Sequence, residues 1–192
     1  TIKKDASVEN AKIPFGTTLL RKDAILLTLM ASDDQSALTL AKNYPDGVSA
    51  FVEKMNEKAQ KLGMKQTFFM DPTGFSEGNV SSAKDLSKLL TVAARYPEIR
   101  EYSVQSKYEL KLENKTLVFK NTNKLAASPQ WKVGVLKDNI PSEKFSSLLI
   151  QSRMGDRPIK IVLMDSPNED SKIHDANRIR EWILSQKGPS EI

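Results

Sequence analysis

Apolar positions follow a helical period through the first half of the chain and a strand-like period through most of the second. Residues 1–20 are polar and loop-like, punctuated by Pro14 and Gly16. From Arg21 a dense run of Ala24, Leu26, Leu27, Leu29 and Met30 predicts a helix buried on most sides. Ser32-Asp33-Asp34 interrupts it, because these side chains favour caps and turns over helix interiors. Helical spacing resumes at Ala37, Leu38 and Ala41 and stops at Tyr44-Pro45-Asp46-Gly47. Residues 48–62 predict an amphipathic helix, with Phe51, Val52, Met55, Ala59 and Leu62 on one face and Gly63 as its stop. A short extended run at 67–70 ends in Asp71-Pro72-Thr73-Gly74, where Pro presets φ and Gly permits positive φ. Another helix starts at Ser82, with Asp85 placed for a capping box, and carries Leu86, Leu89, Leu90 and Ala93 towards Tyr96-Pro97.

Residues 105–112 and 115–120 then read as two strands, close enough around Asn114-Lys115 to form a hairpin. Residues 131–137, 145–151 and 158–164 read as three more, the last two joined through Met154-Gly155-Asp156. A closing helix over 171–186 puts Ile173, Ala176, Ile179, Trp182 and Ile183 on one face. Helices, then strands, then a helix predict an α+β fold, an antiparallel sheet covered by helices, in one domain over 1–192. No repeat, low-complexity segment or linker interrupts it.

Composition narrows the chemistry. With 39% hydrophobic and 28% charged residues the chain is of ordinary globular type. It contains neither a signal-peptide pattern nor a run near the ~20 apolar residues of a membrane span. It has no cysteine, which excludes thiol nucleophiles, disulfides and thiolate metal sites. His174 is the only histidine, so a multi-histidine metal centre is impossible. Beside Asp175 it reads as a partly buried structural residue. Trp131 and Trp182 read as packing residues. The net charge of +5 permits a polyanion partner. Yet the lysines alternate with acids, as in Glu53-Lys54 and Glu57-Lys58, and Lys54 to Lys61 reads as the wet face of its helix. A basic polyanion-binding module therefore stays an alternative, with nucleic acid not expected.

Longer stretches carry a resemblance. "PFGTTLLRKDAILLTLMASDDQSALTLAKNYP", "FVEKMNEKAQKLGMKQTFFMDPTGFSEGNVSSAKDLSKLL", "NTNKL", "WKVGVLK" and "HDANRIREWI" resemble the low-molecular-mass penicillin-binding proteins. These are the serine D-Ala-D-Ala carboxypeptidases and endopeptidases, and the similarity is closest to the endopeptidase branch. It implies a penicillin-binding protein/β-lactamase-like fold whose N-terminal strands are missing or atypical here. It also implies a bacterial envelope setting, periplasmic or otherwise extracytoplasmic, and no cofactor or metal.

That family works with three motifs: Ser-x-x-Lys for the nucleophile, Ser-x-Asn, and Lys-Thr-Gly on a strand lining the cleft. An activated serine attacks the amide carbonyl while backbone N–H groups hold the oxyanion. By the resemblance the first motif falls before Thr1. The only Ser-x-x-Lys present, Ser81 to Lys84, reads as a helix-start cap. The second motif aligns with Ser32-Asp33-Asp34, so an amide becomes the carboxylate of Asp34, which only accepts hydrogen bonds when ionised. The third aligns with Lys137-Asp138-Asn139, where Asp138 is expected to neutralise Lys137 and Asn139 to crowd the peptide's approach. No catalytic set is complete. Ser32, Asp34 and Lys137 remain as altered motif positions, and Ser32, Lys137, Asp138 and Asn139 as candidate substrate contacts.

The resulting expectation is a D-Ala-D-Ala peptidase-like protein of peptidoglycan metabolism that does not catalyse as it stands. It would act as an envelope binding or scaffold module for a peptidoglycan peptide or an envelope protein. The alternative is an active serine DD-peptidase whose nucleophile lies upstream. Without early strands an edge of the sheet is open, so either dimerisation or an arm from residues 1–15 is expected to cover it.

Overall fold

A computed structural model describes residues 1–3, 11–139 and 146–186, with the side chain of Asn139 outside that description. Helix α1 (Arg21–Ala31) buries Ala24, Leu26, Leu27 and Met30, as its dense apolar run predicts. It ends at Ser32, whose backbone turns left-handed (φ 49, ψ 41). Helix α2 (Asp34–Lys42) follows at once, because the Asp33 carboxylate accepts the Ser36 N–H at 2.9 Å and caps the new first turn. The break read at Ser32-Asp33-Asp34 is therefore a two-residue corner. Helix α3 (Gly47–Lys61) buries its expected face less than the pattern suggests: Ala59 is buried, while Phe51, Val52, Met55 and Leu62 are half-buried.

Helix α4 (Ala83–Ala93) is capped by Ser82, which accepts the Asp85 N–H at 3.3 Å. The expected box is only half made. The Asp85 carboxylate turns away to the Gln66 N–H (2.7 Å), the Thr67 hydroxyl (3.1 Å) and Lys88 (2.8 Å). The run at 67–70 contributes one antiparallel bridge, Phe68 to Val80, not a strand. A further helix, α5 (Pro97–Ser103), was hidden in the sequence by its brevity, with Pro97 fitting its first turn.

The described strands form two antiparallel sheets. Hairpin β1 (Lys107–Lys111) and β2 (Thr116–Lys120) stands apart. The main sheet runs β3 (Lys132–Asn139), β4 (Ser146–Met154), β5 (Arg157–Ser166), in the order β3-β4-β5. The β4–β5 turn uses Gly155 at φ 60. The expected first residue of β4, position 145, lies outside the described residues. Helix α6 (Glu169–Ser185) packs Ile173, Ala176, Ile179 and Ile183 against Leu136, Leu148, Ile150 and Ile161.

Two expectations need correction. Trp182 is 63% exposed, outside the apolar seam that Ile179 and Ile183 occupy, whereas Trp131 is buried and donates to Asn177 at 2.9 Å. His174 is exposed and not partly buried. Of the N-terminal arm expected to cover the sheet edge, the described residues Ile2 and Ile13 belong to a different core from the one under the main sheet. Ile2 and Ile13 are buried with Leu27, Met30, Leu110 and Phe119, and Gln35 clamps Ile13 through both backbone groups at 2.9 and 3.0 Å. Residues 4–10 of that arm lie outside the described residues.

Candidate active-site cleft

The corner between α1 and α2 meets the end of β3 in a cleft of about 220 Å³. Thr28, Ser32, Asp33, Asp34 and Ala37 line it from the helices, Lys137, Asp138 and Leu149 from the sheet, and Pro72, Thr73 and Gly74 from a loop. Two of the positions singled out in the sequence, 105 residues apart, touch here: the Lys137 ammonium donates to the Ser32 hydroxyl. Lys137 also donates to the Asp138 main-chain carbonyl at 2.8 Å, and the Ser32 hydroxyl reaches that carbonyl at 3.3 Å. Ser32 attains this position through its left-handed backbone, a conformation that costs a non-glycine residue about 1–2 kcal/mol. The cost is borne where the side chain meets Lys137, as strained residues at functional sites often are.

Asp138 departs from expectation. Successive strand residues face opposite sides. While Lys137 faces the cleft, the Asp138 carboxylate turns inward and is 2% exposed. It forms a buried ion pair with Lys172 of α6 and accepts from Asn123 at 3.0 Å. Lys172, wholly buried, donates also to the Ser146 hydroxyl at 2.5 Å. Asp138 therefore does not neutralise Lys137 by contact. Only its carbonyl reaches the cleft. Asn139 ends β3 opposite Ser147.

Lys172, Asn123 and Ser146 were missed in the sequence. The signal was present in Lys172, which stands four residues before Ala176 and shares its helix face with Ile179 and Ile183. A lysine on an apolar seam needs a buried partner.

Electrostatics follow from this arrangement. Burial pushes the Lys137 ammonium down to about 8, against the pull of the Asp138 and Asp34 carboxylates and with help from Lys172. Asp34, exposed at the rim, has its carboxyl raised by partial desolvation and by Asp33 and Asp71, against Lys137. The loop is built on Asp71. Its carboxylate accepts from the Thr73 N–H and hydroxyl (both 2.7 Å), Gly74 N–H (2.8 Å), Phe75 N–H (3.3 Å), Ser76 N–H (2.8 Å) and Asn79 amide (2.5 Å). Burial opposes ionisation there, but these donors hold the carboxyl well below the usual range.

Ser81 stands elsewhere. Its hydroxyl pairs with Thr67 at 2.8 Å beside the α4 cap, and Lys84 is exposed. Among the described residues no group of three or more His, Cys, Asp or Glu could hold a metal, and no helix is long and apolar enough to cross a membrane.

The helical corner bearing Ser32 and the strand bearing Lys137 lie together, as the resemblance to the penicillin-binding DD-peptidases implies for its second and third motifs. Solved structures agree on the fold. A penicillin-binding protein homologue from Mycobacterium tuberculosis superposes with a TM-score of 0.83 at 18% identity, covering 100% of this chain and 76% of its own. A mutant of a Streptomyces DD-transpeptidase gives 0.81 at 22%, covering 89% and 70%. The profile of the family described as D-alanyl-D-alanine carboxypeptidase, peptidase S11, matches residues 2–168. The chain belongs to this family. It is 36% identical over 179 residues to the D-alanyl-D-alanine endopeptidase of Escherichia coli, covering 92% of the chain and 58% of that protein. It is 35% identical over 175 residues to that of Pseudomonas aeruginosa, covering 90% and 56%. The chain thus spans somewhat over half the length of these relatives.

Proposed function

We propose that this chain serves bacterial cell-wall metabolism by holding carboxylate-ended D-Ala-D-Ala peptides of peptidoglycan in the Ser32–Lys137 cleft, and that by itself it does not cut them. The observation that carries this reading is the state of Lys137. Its ammonium stands in a cleft against a hydroxyl and a carbonyl, with no carboxylate in contact among the described residues. A buried cation without a counter-ion is costly, and an incoming carboxylate supplies one. The lack of cutting rests on Ser32, whose oxygen accepts from the Lys137 ammonium, and a charged amine has no lone pair to take the hydroxyl's proton as a general base would. It rests also on Ser81, which is tied to Thr67.

The setting is the extracytoplasmic side of the envelope, where such peptides occur. Partners are the peptidoglycan peptide or an envelope protein, and the β5 edge, unpaired among the described residues, is taken as the surface for a second copy of the chain. Fluorescent penicillin tests the chemistry. The expected result is no covalent label on residues 1–192 in a denaturing gel, and a labelled serine among them sinks the reading.

A second reading is favoured by the intact Ser32–Lys137 contact. It is an active serine DD-peptidase whose nucleophile-bearing segment lies outside this sequence. It predicts that the whole gene product takes the penicillin label while residues 1–192 alone do not.

A further inference from the structure

Among the described residues four aspartates stand around the cleft, and three are committed to the fold. Asp33 caps α2 through the Ser36 N–H. Asp71 holds its loop through Thr73, Ser76 and Asn79. Asp138 pairs with Lys172. Asp34 alone lines the cleft with no hydrogen bond or ion pair among the described residues.

The first turn of a helix does favour an acidic side chain. That influence lowers a carboxyl's proton affinity, yet the Asp34 carboxyl is raised, so its surroundings disfavour the charge on balance. Across the cleft the Lys137 ammonium is displaced towards its neutral form as well. The two groups influence one another, but no ion pair joins them among the described residues. One cleft therefore holds a cation and an anion, each short of a counter-ion.

We propose that the cleft is a two-charge site for a peptide end carrying a free carboxylate and a free ammonium together, the carboxylate taken by Lys137 and Ser32 and the ammonium by Asp34. This rests on the reading of Lys137 as the carboxylate ligand and adds a choice among ligands to it. A ligand with a carboxylate alone meets the repulsion of Asp34, while one with both charges relieves both groups. Where the family's second motif offers a neutral amide, this chain offers charge selection.

The probes are free D-alanyl-D-alanine, which carries both charges, and N-acetyl-D-alanyl-D-alanine, which lacks the ammonium. Calorimetric titration at neutral pH is expected to show the free dipeptide binding about fivefold more tightly, the size of one partly exposed ion pair. In Asp34→Asn, a substitution at an exposed position, the gap closes because the free dipeptide weakens and the N-acetyl form improves. Equal or tighter binding of the N-acetyl form by the unsubstituted chain overturns the two-charge site and leaves the carboxylate reading standing. A gap that survives in Asp34→Asn overturns it too. Failure of both ligands to bind overturns the carboxylate reading itself, and the two-charge site with it.

Discussion

Lys137 holds the balance of charge in the cleft, and its proton is the quantity to follow. Its amine, pushed down to about 8 from the ordinary 10.5, is charged at neutral pH and loses its charge well before an ordinary lysine does. Binding of N-acetyl-D-alanyl-D-alanine is therefore expected to be flat up to about pH 7.5 and to fall roughly tenfold per pH unit above about 8. Folding stability moves the other way. Between about 8 and the ordinary value of 10.5 the unfolded chain keeps a proton that the folded chain has released, so this group makes stability rise with pH in that window. Calorimetry and denaturant melts across the same buffers separate the trends. Affinity that persists to pH 10 contradicts the role given to Lys137. The sequence brought Ser32 and Lys137 forward as candidates through local motifs, and the structure joins them. The direction of the Asp138 side chain was less accessible, because it depends on a partner in α6 that strand alternation alone does not name.

At the scale of elements, the Asp138–Lys172 pair ties α6 to the end of β3, directly behind the carbonyl on which Lys137 and Ser32 converge. Lys172→Met leaves a buried carboxylate unpaired and is expected to cost about 3–5 kcal/mol in urea unfolding. Adding Asp138→Thr removes that carboxylate and restores most of the loss. A single substitution that costs under about 1 kcal/mol would show that the pair is not buried as described. The loop at 71–79 has an acid dependence of its own. The Asp71 carboxyl is held below its ordinary value of 3.8, so its contribution is full above that pH and fades as pH falls below it. Asp71→Asn should cost about 1–3 kcal/mol near neutrality and flatten the acid side of the stability profile. Equal acid sensitivity in the variant argues that other carboxyls control it. Helices α1 to α4 and all five strands were legible because their apolar residues keep a clear period. Helix α5 spans seven residues, too few to show one, and the role of the Asp71 turn in lining the cleft appears only once the chain is folded.

At the scale of the molecule, the main sheet ends at β5, whose outer edge is unpaired among the described residues. Open edges favour pairing with another strand, and Pro158 and Lys160 restrain this only at one end. Sedimentation equilibrium is expected to find a species of twice 21.5 kDa, and a 21.5 kDa monomer at high concentration contradicts that use of the edge. The α+β layering could be anticipated from the order of periods along the chain. The separation of the hairpin from the main sheet could not, because pairing between distant strands leaves no local mark. What the assembly of helices and sheets provides is a cleft in which Ser32 and Lys137 meet, with Asp34 at its rim. The most direct measurement is calorimetric titration of N-acetyl-D-alanyl-D-alanine into the unsubstituted chain and into Lys137→Met. Reversible binding by the first and none by the folded second is the predicted result. Undiminished binding by Lys137→Met contradicts the account.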